Sequence, residues 1–265
     1  MKLWLTLPGL MALTATEAAA QIDYRNLDDE RPVVVEDAYP IERYAFELLG
    51  AYRFARLPGG GGLHVWIPEL SYGVAKATSI GVKAPFAAAT RRGASGFGLA
   101  GVRAFGLVNL TTERPSLPGL ALRLDGTLPA GGQAGRGVAI MIQALATRSF
   151  GRNRLHLNAG GGLTQAEEPG AAEEIPRWRA GLAADRTLIR SSMLLIGAVT
   201  VEQETRGAAA IITGAAGFRR QVTPTLVVDA GFSWAVQRGA GPRPGLTAGL
   251  SHAFAIAALL PGGGP

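Results

Sequence analysis

Short segments in which apolar and polar side chains alternate recur along most of the chain, from residue 43 to residue 254. Within residues 120–128, for example, Leu122 and Leu124 flank Arg123, and Asp125 follows. Successive side chains of a β-strand point to opposite faces, so each such segment has one apolar and one polar face. About twelve segments of this kind, each of about ten residues and separated by turn residues, predict an all-β protein.

The apolar faces of these segments would either cover the core of a soluble sandwich or lipocalin-like barrel, or face lipid. After residue 20, no apolar stretch reaches the length of about 20 residues that a transmembrane helix needs. Only 17% of the residues are charged and 37 are glycine, whereas about a quarter of the residues of soluble domains are charged. These features favour a transmembrane antiparallel up-and-down β-barrel of about 12 strands.

The first 20 residues have the three parts of a secretory signal peptide. Lys2 supplies a positive charge, residues 3–15 are mostly apolar, and three alanines at 18–20 precede Gln21. We therefore expect a signal peptide over residues 1–20 and export through the periplasm to the bacterial outer membrane. Residues 43–254 would form the barrel and residues 255–265 a C-terminal tail.

Residues 21–42 are predicted to be a periplasmic N-terminal arm. Their central part, from Asp23 to Glu36, is acidic and polar and contains proline, without the alternation of the later segments. Such a segment would lie in the periplasm or be tucked into the mouth of the barrel.

The links between the segments also alternate in kind. Residues 75–78, 151–153 and 222–225 form short links, whereas residues 87–97, 130–136 and 165–176 form longer ones that are rich in glycine, proline or charge. Outer-membrane barrels have short periplasmic turns and longer outer loops. An even strand number then places both chain ends on the periplasmic side, with aromatic residues near the strand ends, as at the two membrane interfaces.

The polar face of the segments would line the lumen. The candidate lumen-lining residues are charged: Glu47, Arg53, Glu69, Lys83, Arg103, Arg123, Asp125 and Asp229. They would either select a solute or pair with one another and fill a narrow interior, since an unpaired buried charge is costly. We expect one central network, on neighbouring strands, of Glu47, Glu69, Arg103 and Arg123.

The sequence gives little support to catalytic, metal or nucleic-acid chemistry. It has no cysteine, its three histidines (His64, His156 and His252) lie in separate segments, and its basic residues are scattered despite the net charge of +6. His252 with a serine on a neighbouring strand would resemble a twelve-stranded outer-membrane phospholipase, but no nucleophile motif accompanies it. We expect no enzymatic activity, no cofactor, no metal site and no nucleic-acid partner.

Three runs of residues resemble a known family. They are Val35-Glu36-Asp37-Ala38-Tyr39-Pro40-Ile41-Glu42-Arg43, Pro68-Glu69-Leu70-Ser71-Tyr72-Gly73 and Gly245-Leu246-Thr247-Ala248-Gly249-Leu250-Ser251-His252-Ala253-Phe254. Together with residues 120–129 and 155–158, they are similar to the outer-membrane transporter-like family associated with the meta-pathway of phenol degradation. The chain departs from that family at His252, where tyrosine is usual, and in its eleven residues after Phe254.

The resemblance implies an outer-membrane barrel and passive transport of small aromatic or hydrophobic compounds, without catalytic residues. The expected function is therefore transporter-like passage of small solutes. The alternative is a structural or surface-interaction barrel with a closed lumen. The expected partners are outer-membrane lipid, the barrel-assembly machinery and a small-molecule solute.

Overall fold

The computed structural model describes residues 21–57, 60–91, 94–164, 177–203, 209–235, 243–256 and 259–260. The signal peptide predicted for residues 1–20, the long link at 165–176 and most of the C-terminal tail lie outside these ranges. Fourteen strands run as β1 Ala45–Arg56, β2 Gly62–Ala75, β3 Thr78–Lys83, β4 Phe86–Arg91, β5 Ala94–Leu99, β6 Val102–Thr111, β7 Gly119–Leu128, β8 Ala139–Phe150, β9 Asn153–Thr164, β10 Trp178–Leu188, β11 Met193–Gln203, β12 Ile211–Thr223, β13 Leu226–Ala235 and β14 Arg243–Ala255. Among the described residues, no helix has the length and apolar content needed to cross a membrane.

The strands form one closed antiparallel barrel. Strand β1 pairs with β14 on one side and with β2 on the other, and the remaining strands follow in chain order. The second half of β2 pairs with β3 and its first half pairs with β4, so β3 and β4 together act as one barrel strand. Strands β5 and β6 combine in the same way, because β5 pairs with β4 and β6 pairs with β3. The barrel therefore has twelve strands, as the alternation predicts.

The break between β3 and β4 lies beside two prolines. Pro85 has no backbone N–H, so it cannot donate to the ladder, and Pro68 stands opposite the break on β2, where its carbonyl accepts the Ala84 N–H at 3.0 Å. The long link expected at residues 87–97 is instead the β4–β5 hairpin. Its residues are mostly alanine, glycine and serine, so the hairpin carries no clear alternation of polarity for the sequence to reveal.

Side chains alternate between the two faces of the barrel wall as predicted. In β7, Leu122 and Leu124 are exposed on the outside, whereas Arg123 and Asp125 are buried inside. The exposed outward residues of the other strands are mostly large and apolar, and include Leu48, Leu70, Val82, Ile142, Leu157, Leu182, Val199 and Leu250. An apolar outer band with an enclosed polar interior is the arrangement of membrane barrels.

The two ends of the barrel differ. The short turns at residues 76–77, 151–152 and 224–225 lie at the same end as residue 44 and residue 255. We call this the turn end and the opposite end the loop end. Aromatic rings stack on the outer surface near both ends: Phe46 with Tyr72 and Phe254 near the turn end, and Trp66 with Phe86 near the loop end.

Residues 21–42, the N-terminal arm, lie inside the barrel. The arm enters at the turn end, where the Ile22 N–H donates to Pro224 O at 3.0 Å. It reaches furthest toward the loop end at Glu30–Val34, which face a cavity there. It then returns to the turn end, where Tyr39 packs against Gly119 at the start of β7. The predicted arm therefore fills the lumen of the barrel.

Candidate functional site: a charged lumen closed by the N-terminal arm

All eight charged residues predicted to line the lumen lie on the inner face of the wall. Seven of them are buried or nearly so, and Arg53, near the loop end, is 32% exposed. The four basic ones meet carboxylates of the arm, which the sequence did not place beside them. The arm carries five acidic residues inside the lumen: Asp28, Asp29, Glu30, Glu36 and Asp37.

Asp29 is the point where three neighbouring wall strands meet the arm. Its Oδ2 atom lies 3.1 Å from Lys83 Nζ on β3, 3.4 Å from Arg123 Nη2 on β7 and 3.7 Å from Arg103 Nη1 on β6. Glu69 joins the group through Lys83, at 3.4 Å. Three of the four residues of the expected central network therefore belong to one cluster, with the arm at its centre.

Arg123 makes the most extensive set of contacts in this cluster. It donates two hydrogen bonds of 2.9 Å to Asp125 and one of 2.8 Å to Glu36 Oε1. Its guanidinium also lies 4.0 Å from the centre of the Phe105 ring. The planar guanidinium can serve several carboxylates at once because its five N–H groups point in fixed directions.

A second ionic group surrounds Arg31 of the arm, on the other side of the lumen. Arg31 donates to Asp229 at 3.1 Å, to Asp28 at 2.6 Å and to the Ser251 hydroxyl at 2.6 Å. Asp28 also pairs with Arg219 of β12 at 2.8 Å. Glu47, the fourth residue of the expected network, lies in this group and lines a small cavity with Asp28 and Arg219.

His156 lies in a third buried group, with Thr147 and Asp185. Its Nε2 is 2.8 Å from Asp185 Oδ2, so this nitrogen donates, and its Nδ1 accepts the Thr147 hydroxyl at 3.0 Å in the neutral ring. The same hydroxyl accepts the Ala38 N–H of the arm at 3.0 Å. The residue types resemble a hydrolytic triad, but Thr147 and His156 are fully buried under the arm. The group therefore holds the arm and has no access to a substrate in this structure.

The arm also makes apolar contacts on one side of the lumen. Leu27, Val33 and Val35 pack against Leu194 and Ile196 of β11. Gly181 on the neighbouring β10 leaves room for Val35, because a Cβ atom there would lie 2.7 Å from Val35 Cγ2. The arm is therefore held by ion pairs on several strands and by a small apolar cluster against β11.

The arm separates two cavities. The outer cavity, at the loop end, has a volume of about 150 Å³ and is lined by both charged and apolar residues, among them Glu30, Arg53, Val33 and Val65. The inner cavity, at the turn end, has a volume of about 480 Å³ and is lined by residues 21–25 and by the adjacent turns. Between them the lumen is occupied by the arm.

Two basic residues of this site were missed by the sequence analysis. Arg154 and Arg219 also face the interior and pair with Asp37 at 3.4 Å and Asp28 at 2.8 Å. The sequence did contain a signal, because the arm has an excess of acidic residues and the inward positions of the strands have many basic ones. In the described part of the chain, no group of histidine and acidic side chains has the arrangement of a metal site.

The turn between β6 and β7 packs against the end of β8 at the turn end of the barrel. Glu113, in the turn between β6 and β7, accepts hydrogen bonds from the Ser149 N–H at 2.7 Å and its hydroxyl at 2.8 Å. Partial burial raises the pKa of Glu113, but the Ser149 hydrogen bonds and the Arg148 charge outweigh it and hold the pKa below the ordinary 4.5. Tyr39 of the arm approaches the same carboxylate at 3.5 Å.

We expect Glu113→Gln to lower the stability of the barrel by about 1 kcal/mol at pH 7, since a charge-assisted acceptor is lost. A lowered pKa gives stability that is present above the unfolded-state value of 4.5 and is lost as pH falls through the folded-state pKa. The difference in unfolding midpoint between wild type and Glu113→Gln should therefore disappear in strong acid. Glu42→Gln, at an exposed carboxylate of the same end, is the control and should leave the stability at pH 7 unchanged.

The architecture is similar to that of solved outer-membrane proteins. An outer-membrane channel from Pseudomonas putida F1 superimposes with a TM-score of 0.66 at 12% identity, over 82% of this chain and 98% of that one. The KdgM porin, solved in complex with disordered oligogalacturonate, superimposes with a TM-score of 0.55 at 7% identity. The superposition covers 79% of this chain and 99% of the porin. Outer membrane phospholipase A from Escherichia coli superimposes with a TM-score of only 0.47 at 8% identity, over 87% of this chain and 95% of that one. This similarity carries no argument for lipid hydrolysis.

These similarities establish the fold class, which is that of outer-membrane β-barrels. No protein-family model matches the chain, and no curated protein matches it. The resemblance to the family of the phenol meta-pathway therefore stays a prediction.

Proposed function

We propose that this chain is a bacterial outer-membrane barrel for the passive passage of small solutes, and that the N-terminal arm closes its lumen. The turn end faces the periplasm, because short turns and chain termini lie on that side in outer-membrane barrels. The loop end faces outward. The arm moves away from the wall when the passage opens.

The observation that carries this proposal is the position of the arm between the outer and inner cavities. Both cavities are bounded by the arm, and no strand of the barrel lies between them. The arm is connected to β1 only at its C-terminal end, near residue 44. If the signal peptide is removed, the other end of the arm becomes a free terminus, so the arm can leave without opening the barrel wall.

The chemistry of the contacts supports a reversible closure. Most wall residues that meet the arm are charged or polar, and water and solute ions can replace the arm at such groups. A permanently filled core would be expected to contain mainly apolar side chains, because pairs of buried charges add little stability compared with hydrophobic packing. We therefore favour a closed state that can open over a permanent plug.

The solute class follows from the lining of the lumen and from the family resemblance. The outer cavity combines apolar side chains such as Val34 and Ile211 with charged ones such as Arg53 and Glu202. It suits a small solute that has an apolar part and a polar or charged group. Aromatic and hydrophobic compounds, which the resemblance implies, satisfy the first requirement.

A disulfide between the arm and the wall tests this function. The chain has no cysteine, so Val35→Cys with Gly181→Cys introduces one defined pair. A cysteine sulfur at the position of Val35 Cγ2 would lie 2.7 Å from the Cβ position at residue 181, close to the separation of about 3 Å between a Cβ atom and the far sulfur of a disulfide. Conductance is then measured in planar bilayers with the oxidised and the reduced protein.

We expect openings from wild type and from the reduced double variant, and none from the oxidised one. The single variant Val35→Cys is the control and should be insensitive to oxidant. Equal conductance of the oxidised and reduced forms would contradict closure by the arm. Silence of every form, with folded protein in the bilayer, would reject passive passage.

The second candidate is a barrel whose lumen stays closed and whose role is structural. The apolar contacts of Leu27, Val33 and Val35 with β11 favour it, because they are lost without compensation when the arm leaves. Silence of all forms in the bilayer experiment would support this candidate. We propose no enzymatic role, since Thr147, His156 and Asp185 are buried and His252 lies on the outer surface beside Phe254.

A further inference from the structure

The outer surface of the barrel has a groove near the loop end, where β13, β14 and β1 lie side by side. Leu246 of β14 is the register partner of Phe54 on β1 and of Phe232 on β13, so these three residues form one row across the strands. Leu246 is 53% exposed and Phe232 is 43% exposed. The surface groove has a volume of about 380 Å³, which is in the range of small-ligand pockets, and is lined by Phe54, Arg56, Gly61, Phe232, Pro244 and Leu246.

A bulge in β14 lies at the upper edge of the surface groove. The pairing of β1 with β14 passes from Ala55 with Gly245 to Arg56 with Arg243, so Pro244 has no partner on β1. Proline has no backbone N–H to donate to the ladder, and a bulge bends the strand that contains it. The regular apolar row therefore ends at a bent segment on the loop side.

Arg56 supplies the charge at this edge. Its side chain is exposed, and it lies two residues beyond Phe54 on the outer face of β1. In the part of the chain that the structure describes, no carboxylate pairs with Arg56. An arginine next to an apolar surface keeps its stem on that surface and extends its guanidinium into the polar layer. An anionic group held by Arg56 would therefore lie directly above the apolar row.

Lipid is the molecule that meets this part of the surface. The row of Phe54, Leu246 and Phe232 continues the apolar outer face of the wall, and in outer-membrane barrels that face contacts lipid. A lipid molecule also combines the two chemical features of the surface groove, since it has an apolar chain next to a polar headgroup. Arginine selects among headgroups because its planar guanidinium binds two phosphate oxygens at once.

We propose that the surface groove binds a lipid with a phosphate-bearing headgroup. The acyl chain lies along Phe54, Leu246 and Phe232, and the phosphate contacts Arg56. A neutral lipid satisfies only the apolar part of this site. The site is independent of the proposed passage through the lumen, because it lies on the opposite face of the wall.

Two lipids with the same acyl chains test the proposal, because they differ only in the phosphate: dimyristoylphosphatidic acid and dimyristoylglycerol. Each is titrated into the folded full chain in detergent, and the rise of the thermal unfolding midpoint gives an apparent Kd. We expect wild type to bind the phosphatidic acid about fivefold more tightly, the contribution of one basic side chain at an anionic lipid surface. Inorganic phosphate should not raise the midpoint, because it has no apolar part.

Substitutions separate the charge from the apolar row. Arg56→Gln should bind the two lipids equally, with the affinity of wild type for dimyristoylglycerol. The control is Arg220→Gln, at an exposed arginine of β12 near the turn end, and should keep the preference. Phe232→Ala should weaken the binding of both lipids, whereas Phe218→Ala, at a 40% exposed phenylalanine of β12, should not.

Three results would each overturn the proposal. The first is equal affinity of wild type for the two lipids, and the second is a preference for the phosphatidic acid that persists in Arg56→Gln. The third is an equal loss of affinity in Phe232→Ala and Phe218→Ala, which would mean that lipid covers the outer face without a defined site. A rise of the midpoint with inorganic phosphate that matches the rise with phosphatidic acid would also contradict a lipid site. None of these measurements requires conductance.

Discussion

Replacement of Arg123 by methionine should destabilise the barrel by about 3–5 kcal/mol, the typical cost of removing one partner of a buried ion pair. The side chain of Arg123 is 2% exposed and neutralises Asp125, Glu36 and Asp29. Methionine fills most of the space beside Phe105 but leaves these carboxylates without their cation. The measurement is the free energy of unfolding in urea, in detergent or lipid.

A second variant separates loss of charge balance from loss of packing. Arg123→Met with Asp125→Asn removes the ion pair from both sides and should recover part of the stability, because an unpaired buried charge costs more than an absent pair. Arg25→Met is the control, since Arg25 is 52% exposed and pairs with the nearby Asp23, and should cost about 0–1 kcal/mol. Equal costs for Arg123→Met and Arg25→Met would refute the role given to the lumen charges.

Replacement of Leu124 by arginine should cost about 2–4 kcal/mol, the value for a lipid-facing cation near the middle of a membrane barrel. Leu124 lies near the middle of β7, 52% exposed on the outer face. The cost is measured from the unfolding equilibrium in lipid bilayers. On the surface of a soluble barrel, the same substitution would have almost no effect.

Leu128→Arg is the matched control for position. Leu128 is 57% exposed on the same strand and face, but at the loop end of β7, where a cation costs about 0–1 kcal/mol. A clear difference between the two variants is expected only if the outer face spans a hydrocarbon layer. Equal and negligible costs would show that the outer face is solvated.

The wall of the barrel could be predicted from the sequence because strand alternation is local. Inward residues such as Arg123 are flanked by apolar residues whose side chains must lie on the other face. The β4–β5 hairpin was missed for the same reason, since Ala87, Gly96 and Gly98 carry too little polarity to mark a face. The division of β3 from β4 depends on Pro68 and Pro85, which are close in space but lie on different strands.

The filling of the lumen could not be predicted in the same way. The arm has no alternation, and its partners are far away in the chain: Arg31 pairs with Asp229, 198 residues later. Eight inward charges were identified, but not the fact that arm carboxylates lie between them. In the sequence, the position of the arm inside the lumen is indicated only by its acidic charge, which complements the basic residues at the inward positions of the strands.

The central claim is that the arm lies inside the barrel against inward-facing positions of the wall. It is tested most directly by disulfide formation in cells, with Val35→Cys combined with either Gly181→Cys or Leu182→Cys. These two wall positions are adjacent, but residue 181 is buried against Val35 and Leu182 is 55% exposed on the outer face. After oxidation and denaturation, the free thiols are counted by mass-tagged maleimide. We predict no free thiol in the first protein and two in the second, whereas two free thiols in both proteins would place the arm outside the lumen.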